Sequence, residues 1–124
     1  MNDKDIENEI QAKGLTAPRV TPQHIEDVVV GEVYIVPNDS NIIERLATGN
    51  FDPVKIKRTT ICILTLRNGF TVTGINNGPV SAANFDAELG RKLARQKAVN
   101  EIWALEGYLL KQQQYVDSHF PAVK

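Results

Sequence analysis

The chain has 124 residues, 42% apolar and 23% charged, with a net charge of −1, which suits one ordinary domain and is too little for two. That near-neutral balance excludes a bulk field recruiting nucleic acid or acidic membrane, so an anionic ligand must be met by a local basic site. The single cysteine, Cys62, excludes an intrachain disulfide and a cysteine-built zinc site within one chain. The acidic, polar opening MNDKDIENEIQ is unlike a signal peptide, and no apolar run is long enough to span a bilayer. The expectation is a soluble protein of the cytoplasm.

The expected fold is α+β in a single domain over 1–124. It comprises an N-terminal arm (1–20), a sheet (28–75) with an insertion (41–54), and a long helix (84–112). Asp3 to Lys13 carries Ile6 and Ile10 at helical spacing, with Gly14 as a stop. Gly14 to Val20 is a connector. Thr21-Pro22 then reads as a helix start, a hydroxyl cap followed by proline, and predicts a short helix over Pro22 to Asp27. His24 on that helix has no partner at a spacing that would make it a base and reads as a surface or packing residue.

Val28 to Val36 is rich in β-branched residues and predicts a strand with a bulge at Gly31. In the insertion, NIIERLAT offers about two helical turns, and GNFDP is loop chemistry. Lys55 to Arg67 predicts the main strand, with Ile56, Ile61, Ile63, Leu64 and Leu66 as its apolar positions. Asn68-Gly69 follows as a type I′ turn pair, and Phe70 to Ile75 returns with clean alternation. Asn76 to Ala83, NNGPVSAA, is a tight connector rich in residues that tolerate unusual backbone angles.

The connector leads into the most prominent stretch, NFDAELGRKLARQKAVNEIWALEGYLL, read as one helix capped by Asn84 with Asp86 and Glu88 in its first turn. At about 100° per residue two stripes run along it. Phe85, Leu89, Leu93, Val99, Trp103 and Leu110 form the stripe expected to pack on the sheet. Arg91 and Arg95 lead the other, which continues as Ala98, Ile102 and Leu109. Two arginines one turn apart suggest an anion site at the edge of a covered face; the plain alternative is a solvated basic turn beside a wide core face. Lys55, Lys57 and Arg58 form a second small basic cluster, with a solvated strand end as its plain alternative. The tail carries Tyr115, His119 and Phe120 without a site pattern.

Chemistry-bearing constellations are absent from the sequence. It has no Ser/His/Asp or Cys/His arrangement, no P-loop, no GxGxxG and no histidine pair at metal spacing. The expectation is a binding protein, with no enzyme activity, cofactor or metal.

The strings GLTAPRVTPQHI, TICILTLRNGFTVTG, NFDAELGRKLARQKAVNEIW and LEGYLL resemble a tailed-phage family often called gene-forty-nine-like, over most of the chain. The sequence departs from the usual pattern in lacking a cysteine between Asn76 and Ala83 and in its 41–54 insertion. The layout also resembles phage anti-Thoeris sponge proteins of the first type. That resemblance implies sequestration, without cleavage, of a cyclic ADP-ribose isomer or a cyclic oligonucleotide. It further implies a homodimer with assembly into hexamers, acting in the host cytoplasm against bacterial immunity.

On that reading Arg91 and Arg95 fork a pyrophosphate, Phe70 stacks a base, and Asn76 or Asn77 reads a base or ribose edge. Gly90 admits close approach. The Lys55, Lys57, Arg58 cluster is the candidate for a second anionic-ligand site, and the apolar stripe below the arginines is the expected dimer interface. Two competing readings are a module that inhibits a host protein through the same helix face and a small DNA-associated accessory protein, the latter disfavoured by the net charge.

Overall fold

The computed structural model describes residues 2–37 and 48–120. Helix α1 (Asp3–Ala12) and helix α2 (Pro22–Val28) precede strand β1 (Val29–Ile35). A one-turn helix α3 (Pro53–Ile56), strands β2 (Thr60–Leu66) and β3 (Thr71–Asn76), a 3₁₀ turn (Ala82–Asn84) and helix α4 (Ala87–His119) complete the order. The three strands form one antiparallel sheet in the order β1-β2-β3, so the fold is α+β as expected, with the long C-terminal helix lying on the sheet. The part of the insertion over 41–47 lies outside the described residues.

Local chemistry explains the elements. Asn2 caps α1 through a reciprocal capping box with Asp5. Thr21 caps α2, its hydroxyl accepting from the His24 amide, with Pro22 at the first helical position. The expected strand over Lys55 to Arg67 starts late. Asp52 caps a helical turn beginning at Pro53, which has no amide to give a ladder, and pairing begins only at Thr60.

The bulge falls where Gly31 suggests it, between Val29 and Gly31. The hairpin turn is not type I′. Only Gly69 has a positive φ (90°); the Gly69 amide donates to the Leu66 carbonyl and the Leu66 amide to the Phe70 carbonyl. The loop is therefore the three-residue kind, Arg67-Asn68-Gly69, with glycine in the left-handed position.

The core lies between sheet and helices. From β2, Thr60, Cys62, Leu64 and Leu66 point inward and are buried; the last three join Ile25 and Val28 of α2, Val72 of β3 and Ala94, Ala98, Val99 and Ile102 of α4 in one core. This overturns part of the expected faces of the long helix, although Val99 is buried and Trp103 packs against the core as expected. Ala98 and Ile102, assigned to the partner face, are fully buried, whereas Leu89 and Leu93, assigned to the core, are about half exposed.

The cause is backbone proximity. A Cβ built on Gly74 would stand 2.0 Å from the Ala94 carbonyl oxygen and 2.4 Å from the Ala98 amide nitrogen. Helix and sheet touch backbone to backbone there, and only small residues fit the seam. The cap also moves: Asp86, not Asn84, accepts from the Leu89 amide at 3.0 Å, and Asn84 lies in the preceding 3₁₀ turn.

Candidate functional site

Arg95 sits on the flank of α4 that faces α2 and β1. Its Nη1 and Nη2 donate to Glu26 at 3.0 and 2.7 Å, and its Nε donates to Glu32 at 2.8 Å. The three charges hold one another: the Arg95 guanidinium keeps the Glu26 carboxyl below its usual range, and Glu26 raises the arginine further. Arg91, one turn earlier, is exposed. Arg95 also lines a cavity of about 240 Å³ toward α1, shared with Lys4 and Trp103. Over this region α1 is tied down by a two-pronged Arg19–Glu7 ion pair.

Phe70 lies elsewhere. It stands 56% exposed just past the hairpin turn, in the wall of a cavity of about 350 Å³ formed where α4 runs past the end of the sheet. Val28, Leu66, Leu105 and Leu109 make an apolar floor, Tyr108 (72% exposed) faces the opening, and Arg67 and Glu106 supply one charge of each sign. Glu106 is held from behind by His24 of α2, with Nε2 and Oε2 3.0 Å apart.

Asn76 belongs to a third concavity, of about 210 Å³, between the 76–84 connector and the start of α4; Gly78, Phe85, Leu89 and Gly90 share it. Asn77 is exposed beside it. The arrangement therefore distributes the residues singled out from sequence over three places. Arg95 and Tyr108, which shares a cavity with Phe70, are several helical turns apart, roughly 20 Å along α4 at 1.5 Å per residue.

The basic cluster is divided as well. Arg58 is 9% exposed and its Nη1 donates to the carbonyl oxygens of Pro79 and Val80 at 3.0 and 2.9 Å. It pins the connector at Gly78, whose φ is 81° and whose Cβ would stand 2.6 Å from the Arg58 carbonyl oxygen. Lys57 is half-buried and Lys55 exposed. Cys62 is fully buried under Tyr34, and burial raises its thiol; the same burial, with Glu32 beside it, pushes the Tyr34 hydroxyl up to about 12.

Sequence reasoning missed Arg67, Glu106, Tyr108 and the His24–Glu106 pair. Leu105, Tyr108 and Leu109 do carry a helical-spacing signal. The histidine and its carboxylate stand 82 positions apart, and no spacing rule links them.

A family model described as Phage protein (N4 Gp49/phage Sf6 gene 66) family matches residues 20–114. The matched span begins after α1 and takes in the whole sheet and most of α4. No curated protein and no solved structure matches the chain. No helix among the described residues is long and apolar enough to cross a membrane.

Proposed function

The chain belongs to the N4 Gp49/phage Sf6 gene 66 family of phage proteins, and on that premise we propose that it is an anti-defence sponge, binding a cyclic nucleotide immune signal and holding it without cleavage. The observation that carries this reading is the cavity beside the hairpin turn. About 350 Å³ lies within the range of small-molecule sites, which are mostly apolar with a few placed polar groups. Phe70 and Tyr108 offer faces for a base, and Arg67 offers a guanidinium for a phosphate. The signal class, a cyclic ADP-ribose isomer or a cyclic oligonucleotide, comes from the resemblance to anti-Thoeris sponge proteins.

Arg91 and Arg95 lie too far along α4 to share a ligand with Phe70 within one copy, so the reading includes a homodimer that brings them together, with hexamers as further assembly. The outer sheet face supports self-association. By strand register Gly31, Val33, Ile35, Ile61, Ile63, Thr65, Thr71, Thr73 and Ile75 point away from α4, and none is charged. One-sided antiparallel sheets ordinarily turn polar residues outward.

A thermal-shift panel of cyclic ADP-ribose isomers and cyclic di- and trinucleotides tests the reading. A shift from one of them, lost in Phe70→Ala and Arg67→Ala, is expected. Heating the complex should return that ligand intact; a cleaved product would make the protein an enzyme instead. The uncharged sheet face also favours a second reading, a module that binds a host protein. Its mark would be a stable host partner on affinity purification and no small molecule in the panel shifting the melting temperature.

A further inference from the structure

Resting on the reading of the hairpin-end cavity as a nucleotide site, we infer that Glu106, oriented by His24, selects a base bearing an exocyclic amino group. Glu106 projects from α4 into the cavity wall with its side chain 13% exposed. Its Oε2 meets His24 Nε2 at 3.0 Å. Among the described residues no group donates to Oε1. The backbone at His24 is held in the first turn of α2, where its amide donates to the Thr21 hydroxyl. The carboxylate is thus steered by a different element from the one that carries it.

An ionised carboxylate only accepts hydrogen bonds. The amino group of adenine donates to it, whereas the carbonyl that replaces it in hypoxanthine sets one acceptor against another, and the N1–H that hypoxanthine gains reaches the carboxylate only if the base shifts along its edge. Val28, Leu66, Leu105 and Leu109 offer that edge no hydrogen bond, and an unmade bond to a charged group is costly. Arg67, Phe70 and Tyr108 do not distinguish the two bases, since phosphate and ring faces are common to both, and the Asn68 Oδ1 is taken up by the Phe70 amide. Glu106 is therefore the specificity-determining residue, and His24 is a positioning residue behind it.

The test uses adenosine and inosine 3′,5′-cyclic monophosphates, which differ only along this base edge (an amino group beside a bare N1 against a carbonyl beside an N1–H), titrated calorimetrically into the full chain. The wild type should favour the adenine nucleotide by about ten- to a hundredfold. Glu106→Gln keeps the shape and gains an amide donor, so the preference should collapse to within about threefold or invert. His24→Ala should weaken the preference while both nucleotides still bind. An unchanged ratio in Glu106→Gln and His24→Ala would overturn the assignment, as would no binding of either nucleotide. If cyclic ADP-ribose isomers still bind in that last case, the sponge reading survives without this selectivity; if nothing in the panel binds, both fall.

Discussion

Arg95 shows how a residue chosen for one task can be placed for another. Its guanidinium ties α2 to β1 through Glu26 and Glu32. Because Glu26 is held below its ordinary carboxyl value of about 4.5, its contribution is full above that pH and drains away as pH falls through the lowered value. Arg95→Ala should therefore cost about 1 kcal/mol at neutral pH, the screened worth of half-exposed ion pairs in a network. The gap to wild type should close on acidification; urea melts at pH 7 and below pH 4 check this, and a pH-independent gap would contradict it. Glu26 and Glu32 were invisible as partners because each lies more than sixty positions from Arg95. Arg58 was misleading for a related reason. A basic residue at a strand entry looks solvated until a folded connector brings two carbonyl oxygens to it.

At the scale of elements, the sequence announced α2 by Thr21-Pro22, the bulge by Gly31, and the paired strands by the alternation on either side of Asn68-Gly69. It concealed which face of α4 meets the sheet. Hydrophobicity points to the largest side chains, yet the seam is built from Gly74, Gly90, Ala94 and Ala98 because the backbones nearly touch. Gly74→Ala must push the helix off the sheet and should destabilise by about 3 kcal/mol or more, near the upper range of overpacking. Gly107, in the same helix, has nothing within 4 Å of its missing Cβ. There Gly107→Ala should stabilise the fold by about 0.5–1 kcal/mol through helix propensity. Paired chemical denaturation of the two variants measures both signs; a mild Gly74→Ala would refute the backbone seam. The candidate site was legible only in part for a geometric reason. Phe70 is marked by its turn, but its neighbours come from the far half of α4, which extends past the sheet.

Among the described residues, the helices cover one face of the sheet and leave the other uncovered, with helix α4 continuing beyond it. Thirty-three helical residues at about 1.5 Å each reach roughly 50 Å, and strands of seven residues span about half of that. None of the helix beyond Ile102 is fully buried. These uncovered surfaces are where the proposed self-association acts, and Ile63→Glu, on the outward sheet face, should yield a smaller species by light scattering with the monomer still folded. An unchanged mass would remove the sheet face from the interface. Sequestration itself turns on the cavity at the crook of hairpin and helix. The most direct measurement is calorimetric titration of a cyclic ADP-ribose isomer into wild type, Phe70→Ala and Arg67→Ala, all verified as folded. Binding by the wild type, weakened by about tenfold or more in each variant, is the expected result. Binding unaffected by either substitution, or absent from the wild type, would contradict it.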